Sequence, residues 1–396
     1  MFIIIALAVP VIGLEIGLRW LGPFLPGNYY SGDVYLEPHP LFGRFHVPNT
    51  TGWLRTEEYT TRVAINSRGL REREIPYEKP AGVRRIVVLG DSFVEGEEVP
   101  EDAMVTRQLE GRLNAPNAVR TEVINGGVRA FGTAQEYLFL KHEALRYQPD
   151  VVVLVFYSGN DVADNNPRIG HNVASRHRPY FDLDKGGNLK PLPFRPQRTQ
   201  QPGIVEQLRR GSLLFSVIDT GVIQKLRPAA GSLDDEESDN DNIQPDRRMV
   251  KYELPVFSDA PSGAWDDAWG VTEALLAAAR DEANGTGTQF LLAYAPTKWE
   301  LYPQDWEELR ARNGLSDDGW DLNGPRTRVR ELAARRGIPY LDLTPGLLRE
   351  ATDGARLYYR TDIHWTPRGH QVTAELLAGA LEAGSAMSAP GPEHSQ

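Results

Sequence analysis

The feature that most constrains the fold is an alternation of short apolar runs with helical segments, which begins near residue 84. Apolar runs rich in β-branched residues are typical of strands that are buried on both faces of a sheet. The predicted strands are 85–89, a segment ending at Val123-Ile124, 151–157, 289–295 and 339–343. The predicted helices are 102–113, 135–147, 269–283, 327–336 and 366–381. This order predicts an α/β fold with a parallel sheet and helices on both of its faces.

The alternation is interrupted between residues 165 and 262, which we interpret as an insertion into the domain. It holds an acidic run at 234–241, most simply a solvated, disordered loop. A calcium site is the alternative, but the run lacks the glycine and the terminal glutamate of an EF-hand loop. Because long insertions near active sites often act as lids, the insertion is also a candidate to shape the substrate cleft.

The remaining organisation follows from composition along the chain. Residues 23–83 are rich in Pro, Gly, Tyr and charge, and we predict a lead-in segment that packs on the main domain. Within it, the alternating residues 59–65 predict a strand and residues 66–71 a turn. The main domain is predicted at 84–383, with the insertion at 165–262, and a loose tail at 384–396.

Residues 1–22 carry only two charges, Glu15 and Arg19. An apolar stretch of this length predicts a membrane anchor helix, and the alternatives are a cleaved signal peptide and a buried first helix. No small-residue cleavage site follows, which favours the uncleaved anchor. The expected location is therefore membrane-anchored, with the catalytic domain in the periplasm or outside the cell.

Charge and cysteine content exclude several functions. The net charge of −11 argues against nucleic-acid binding. The absence of cysteine excludes disulfides, thiol catalysis and cysteine metal sites. No histidine pair has a recognised metal-ligand spacing, so we expect neither a metal nor a cofactor.

Four short motifs follow or flank the predicted strands. They are Gly90-Asp91-Ser92, Asn125-Gly126-Gly127, Gly159-Asn160-Asp161 and Asp362-Ile363-His364. The carboxyl ends of parallel strands lie at one edge of a sheet, where such folds bind their ligands. The motifs therefore converge, although they are spread over nearly the whole predicted domain.

The residue types of these motifs are those of serine-type acyl transfer. Ser92 is the predicted nucleophile, His364 its base, and Asp362 the group that fixes the imidazole tautomer. The side-chain amide of Asn160 and the Ser92 backbone N–H are predicted oxyanion donors. We expect Asp91 and Asp161 to cap helices or brace loops. Each motif alone has an ordinary structural interpretation, such as a turn or a cap, and the prediction rests on the ordered set.

The four motifs resemble the blocks of the SGNH, or GDSL, hydrolase superfamily. The resemblance covers roughly residues 84–382 outside the insertion, and it implies a three-layer α/β/α sandwich with a flavodoxin-like sheet. It also implies ester hydrolysis or acyl transfer through a serine ester. A strict count from Asn125 places Ala130 at the second-block oxyanion donor, whereas Gly132 is the nearest glycine. In the third block Gly159 and Asn160 are adjacent, and in the fourth a single residue separates Asp362 from His364. In each case this is one residue fewer than the superfamily usually has.

The sequence Asp362-Ile363-His364-Trp365 is similar to the polysaccharide O-acetyltransferase branch of this superfamily. Taken together, the four motifs and the superfamily resemblance predict a serine-dependent esterase acting on O-acyl esters of carbohydrate or lipid outside the cytoplasm. The alternatives are a polysaccharide O-acyltransferase with the same site and a non-catalytic binding module. Five tryptophans are candidates for stacking on sugar rings, although core packing explains them equally well: Trp265, Trp269, Trp299, Trp306 and Trp320.

Overall fold

The structure is a computed structural model that describes most of the predicted domain and lead-in segment. The described residues are 2–21, 35–114, 119–169, 177–195, 205, 208, 212–218, 250, 253–352 and 354–384. The acidic run at 234–241, most of the predicted insertion and nearly all of the predicted tail lie outside them. Of residues 2–8 only the backbone is described.

The lead-in contributes four strands, and strands alternate with helices through much of the main domain. The strands are β1 (Leu36–His39), β2 (Gly43–His46), β3 (Thr51–Arg55), β4 (Thr60–Ala64), β5 (Arg84–Gly90), β6 (Thr121–Gly127), β7 (Val151–Tyr157), β8 (Phe181–Leu183), β9 (Leu189–Pro191), β10 (Gln289–Ala295) and β11 (Tyr340–Asp342). The helices are α1 (Phe2–Leu21), α2 (Ser92–Glu95), α3 (Val105–Leu113), α4 (Thr133–His142), α5 (Leu213–Ile218), α6 (Gly263–Gly285), α7 (Lys298–Leu301), α8 (Pro303–Asn313), α9 (Gly324–Arg336), α10 (Thr344–Glu350) and α11 (Pro367–Ala383).

Five strands form the central sheet in the order β11-β10-β7-β5-β6, and every neighbouring pair is parallel. In the register, Val87 of β5 lies beside Ile124 of β6 and Val152 of β7. Counted within the sheet, the order is 2-1-3-4-5, the flavodoxin-like arrangement. The predicted α/β fold with a parallel sheet is confirmed. Its topological switch point lies between β5 and β7, the strands that end just before Ser92 and Asn160.

Successive residues of each central strand face opposite sides of the sheet, and each side packs under helices. Val87 and Leu154 pack on one side with Phe139 of α4 and with side chains of α6 and α9. Val88 and Val153 pack on the other side with side chains of α3 and α11. The sheet is therefore the middle layer of three, which explains the long apolar runs in β5, β7 and β10.

The lead-in segment forms two antiparallel hairpins, β1 with β2 and β3 with β4. Phe45, Val63 and Ile65 are buried and extend the core on the α4 side of the sheet. The strand predicted at 59–65 corresponds to β4, and the turn predicted at 66–71 contains a hydrogen bond from the Gly69 N–H to the Asn66 carbonyl, 3.2 Å long.

Helix α1 contains Pro10 and packs against α5. The carboxylate of Glu15 accepts the backbone N–H groups of Leu213 (3.0 Å) and Leu214 (2.9 Å) at the start of that helix. In the part of the chain that the structure describes, no helix has both the length and the apolar character needed to cross a bilayer. The membrane anchor predicted for residues 1–22 is thus not supported.

Candidate active site

The nucleophile lies in a tight turn between β5 and α2. Asp91 precedes the helix, and its Oδ1 accepts the Phe93 N–H at 2.9 Å, which caps the first turn. The Asn125 Nδ2 donates to the Val94 carbonyl at 3.0 Å and so fixes the helix to the end of β6. A Cβ on Gly127 would lie only 2.2 Å from the Glu95 nitrogen, so glycine allows this close approach. Ser92 is therefore held on a rigid turn.

Ser92, His364 and Asp362 form one continuous chain of hydrogen bonds. The Ser92 Oγ lies 2.7 Å from the His364 Nε2, and the His364 Nδ1 lies 2.5 Å from the Asp362 Oδ1. The same carboxylate oxygen accepts the His364 backbone N–H at 2.9 Å, a contact that the two-residue spacing permits. The structure thus brings together the three predicted catalytic residues from positions 272 residues apart.

The charges of this pair stabilise each other. Burial by itself lowers the pKa of His364, but the hydrogen bond and charge of Asp362 outweigh it and raise the pKa to about 10. For Asp362, burial raises the pKa, while the contact with His364 brings it well below its ordinary value. Asp362 therefore stays ionised and stabilises an imidazolium that forms when His364 takes a proton.

The loop that carries Asp362 is held by residues that the sequence motifs did not identify. The Tyr59 hydroxyl donates to the Asp362 Oδ2 at 2.9 Å, and Glu58 accepts backbone N–H groups of residues 360–362. The Lys298 Nζ donates to the carbonyls of Arg360 and Asp362. Glu58 and Tyr59 lie about 300 residues before Asp362, outside all four motifs, and the only signal there was a predicted strand.

The predicted oxyanion donors differ in whether their N–H groups already have an acceptor. The Asn160 Nδ2 donates to the Phe131 carbonyl at 3.0 Å, which ties the loop after β7 to the loop after β6. Ala130 has a φ of 58°, and neither its N–H nor that of Ser92 has an acceptor among the described residues. The Gly132 N–H instead points to the Gln135 Oε1 at 3.4 Å, because Gly132 precedes helix α4. The geometry therefore favours Ser92 and Ala130 over Gly132 as backbone donors.

Three buried carboxyl groups lie beneath the site: Asp91, Asp161 and Glu136. The Asp161 Oδ2 accepts the Tyr157 N–H at 2.8 Å and holds the turn before Asn160, so Asp91 and Asp161 sit in bracing positions. Burial raises the pKa of Asp91 to about 6. Burial and the charge of Asp91 raise the pKa of Glu136 well above its ordinary value, and burial with the Glu136 charge does the same for Asp161. Burial thus favours the neutral form of all three carboxyl groups that form the floor of the site.

The aromatic residues near the site serve packing. Trp365 is fully buried, and its ring lies edge-on to Phe93, with 5.0 Å between centroids. Trp265, Trp269, Trp299 and Trp306 are buried as well, and the half-buried Trp320 packs edge-on against Trp306. The core interpretation of these tryptophans therefore holds. Across the described ranges, no group of three or more His, Asp or Glu side chains is arranged to hold a metal ion.

Comparison with known protein families gives a match to an SGNH hydrolase-like domain, that of the acetyltransferase AlgX, over residues 266–395. Two similar curated relatives are probable alginate O-acetylases named AlgJ. The one from Azotobacter vinelandii is 31% identical over 130 residues, which are 32% of this chain and 31% of the relative. The one from Pseudomonas aeruginosa is 32% identical over 126 residues, which are 32% of this chain and 29% of the relative.

The chain thus spans about a third of the length of the curated relatives that it matches. Among solved structures, TesA aligns with 76% of this chain and 99% of its own, at 11% identity and a TM-score of 0.38. A lipase/acylhydrolase from Enterococcus faecalis aligns with 76% of this chain and 96% of its own, at 12% identity and a TM-score of 0.37. The predicted resemblance to SGNH enzymes, including their polysaccharide O-acetyltransferase branch, is confirmed by the family match over residues 266–395 and by the AlgJ relatives.

Proposed function

We propose that this chain is a serine-dependent acyltransferase of the SGNH type, which transfers a short acyl group to hydroxyl groups of a polysaccharide. The observation that carries the proposal is the hydrogen-bonded chain from Asp362 through His364 to Ser92. A hydroxyl is a weak nucleophile until a positioned base takes its proton, and this arrangement supplies that base.

The geometry supports a reaction in two halves. The Ser92 Oγ attacks the acyl carbon while His364 takes its proton, and the oxyanion forms near the N–H groups of Ser92 and Ala130, with the side-chain amide of Asn160 as the third predicted donor. His364 then gives that proton to the departing alcohol, which leaves an acyl ester on Ser92. In the second half, His364 takes the proton of an acceptor hydroxyl as its oxygen attacks the ester. The proton finally returns to the Ser92 Oγ, and the enzyme is restored.

The choice of a polysaccharide acceptor is supported by the relatives named as alginate O-acetylases. The matched residues 266–395 include Asp362 and His364 but not Ser92, so the nucleophile is assigned from its own motif and its geometry. With water in place of the sugar hydroxyl, the same two halves give an esterase. A site outside the cytoplasm stays a prediction from the sequence of residues 1–22, which fractionation of cells producing the full chain tests.

The test uses the full-length protein with a nitrophenyl acetate donor, with and without oligosaccharide acceptors that include polyuronates, and with a lipid alcohol. We expect an acetyl adduct on Ser92 by intact-mass analysis and acetyl on an added sugar, both absent from Ser92→Ala. Ser67→Ala removes an exposed serine and is the matched control.

Acetyl release to water alone would replace the transferase with an esterase, and acetyl on the lipid alcohol would replace the acceptor class. Turnover by Ser92→Ala at the rate of the wild type would overturn the serine mechanism itself. Protein that neither acquires an adduct nor turns over the donor would favour the binding module.

A further inference from the structure

We propose that the turn of the β3–β4 hairpin, through Glu58 and Tyr59, positions Asp362 for catalysis and makes the lead-in segment part of the active site. The inference rests on the proposed function, because it assigns a role in the same serine chemistry. Both residues are positioning residues, since they act on the reaction only through Asp362.

The Tyr59 hydroxyl completes the bonding of the Asp362 carboxylate. Oδ1 already accepts both the ring Nδ1–H (2.5 Å) and the backbone N–H (2.9 Å) of His364, and Oδ2 accepts Tyr59 at 2.9 Å. With both oxygens bound, rotation of the carboxylate would break a hydrogen bond on either side. Burial and the Asp362 charge raise the pKa of Tyr59 well above its ordinary value. Tyr59 therefore stays protonated and remains a donor at neutral pH.

Glu58 fixes the backbone of the same loop. Its carboxylate accepts the N–H groups of Arg360 (2.7 Å), Thr361 (2.9 Å) and Asp362 (2.8 Å), and also the Thr361 hydroxyl. Burial acts to raise the pKa of Glu58, but these hydrogen bonds hold it below its ordinary value. Three consecutive N–H groups that converge on one carboxylate form an anion-binding concavity, which here binds a side chain from the lead-in.

The side chain of Lys298 contacts the other side of this loop. The Lys298 Nζ donates to the Arg360 carbonyl at 3.0 Å and to the Asp362 carbonyl at 3.3 Å. The N–H side of the loop thus faces an anion from the lead-in, and its carbonyl side faces a cation from the main domain. Residues 360–362 have no regular secondary structure of their own, so these contacts define the conformation that aims Asp362 at His364.

The hairpin turn is itself fixed before it meets the loop. The Thr56 N–H donates to the Tyr59 carbonyl at 2.9 Å, and the Thr56 Oγ1 accepts the N–H groups of Glu58 and Tyr59 at 3.2 Å. The Tyr59 ring also packs against the Tyr359 ring, with 5.0 Å between centroids. Glu58 and Tyr59 are thus preorganised, so little conformational entropy is lost when they bind residues 360–362.

The decisive variant is Tyr59→Phe, which removes one oxygen and leaves the ring. We expect the rate constant of Ser92 acylation to fall roughly 10-fold, as for loss of a hydrogen bond to a charged group. The matched control is Tyr359→Phe in the stacked ring, whose hydroxyl donates to the Glu98 carbonyl at 3.2 Å rather than to Asp362. We expect the control to acylate at the wild-type rate.

A second readout needs no substrate. We expect the His364 Nδ1 proton, in its short bond to Asp362, to give a far-downfield proton NMR signal that shifts and broadens in Tyr59→Phe and stays unchanged in Tyr359→Phe. Glu58→Gln, which replaces one acceptor oxygen with an N–H group, is expected to change the signal in the same direction. Glu58→Asp keeps the charge and is expected to restore part of the acylation rate that Glu58→Gln loses.

The two proposals fail in different ways. A wild-type protein that shows the downfield signal but never acylates Ser92 overturns the proposed function and leaves the positioning contact in place. Conversely, Tyr59→Phe and Glu58→Gln proteins that fold, acylate at the wild-type rate and keep the signal overturn the positioning proposal. Equal losses in Tyr59→Phe and Tyr359→Phe also overturn it, because they indicate a general packing effect.

Discussion

Replacing Glu136 by Gln tests whether the buried floor of the site holds protons at neutral pH. Glu136 lies on α4, is 1% exposed, and neither carboxylate oxygen has a hydrogen-bond partner in the described part of the chain. Ionisation there would place a charge out of water and beside Asp91, so the folded protein favours the neutral acid. Glutamine has the same shape and no charge at any pH.

The sign of the effect follows from proton binding. Above the ordinary glutamate pKa of 4.5, the unfolded chain releases the Glu136 proton while the folded protein retains it. Stability then falls as pH rises, by about 1.4 kcal/mol per pH unit for one group, until the raised pKa of the folded state is passed. Glu136→Gln removes this titration from both states. We therefore expect the free energy of unfolding of Glu136→Gln, relative to that of the wild type, to rise by about 1.4 kcal/mol per pH unit over that window.

The assay is urea unfolding of both proteins at about pH 5 and about pH 8, where their stabilities should diverge in favour of Glu136→Gln as pH rises. Glu308→Gln, an exposed carboxylate on α8, is the control and should show no such divergence. A stability difference between Glu136→Gln and the wild type that is constant over this range, or that shrinks as pH rises, would refute the reasoning. It would mean that Glu136 is ionised in the folded protein and has a partner.

Three further predictions concern the site. Asp362→Asn should lower the maximal rate of Ser92 acylation roughly 10⁴-fold. It should also move the pH at which the acylation rate is half-maximal down by roughly one to three units, because the charge that raises the His364 pKa to about 10 is gone. A rate–pH profile with an unchanged midpoint would contradict this. Asn160→Ala should slow acylation roughly 10²- to 10³-fold in a stopped-flow burst measurement, and an unchanged rate would remove Asn160 from the oxyanion hole. Gly127→Ala should cost about 1–3 kcal/mol in urea unfolding, because its Cβ would lie 2.2 Å from the Glu95 nitrogen. Gly111→Ala, in an open position on α3, should instead stabilise by up to about 1 kcal/mol.

The central sheet was predictable from sequence because β5, β7 and β10 are buried on both faces and contain long apolar runs. A run such as 151–157 can therefore be predicted as a strand from its own residues, without information on the strands beside it. Most of the predicted insertion lies outside the described residues, so the lid and calcium interpretations stay predictions. The membrane anchor was predicted from apolar composition, and no helix among the described residues supports it; the Glu15 carboxylate of α1 accepts backbone N–H groups at the start of α5.

The positions of Ser92, His364 and Asp362 were predictable because each lies in a short motif at the carboxyl edge of the sheet. The backbone donors were harder to assign, since a donor N–H depends on backbone conformation rather than on side-chain type. Counting favoured Ala130, and its φ of 58° agrees with a specialised conformation that residue identity alone does not indicate. Gly132 was a candidate because it is the nearest glycine, but its N–H donates to the Gln135 side chain at the start of α4.

Glu58 and Tyr59 could not be predicted from a single sequence, and the reason is physical. Tyr59 acts through one hydrogen bond and Glu58 through four, all to a loop about 300 residues away, and nothing in local periodicity or turn chemistry encodes such contacts. What the local sequence does encode is the Thr56-centred turn that presents both side chains. Because residues 360–362 have no regular secondary structure, the position of Asp362 depends on whatever binds that loop. Asp362 therefore holds its geometry only while the lead-in is docked on the main domain, and deletion of residues 35–75 should slow acylation by more than Tyr59→Phe does, even where the sheet still forms.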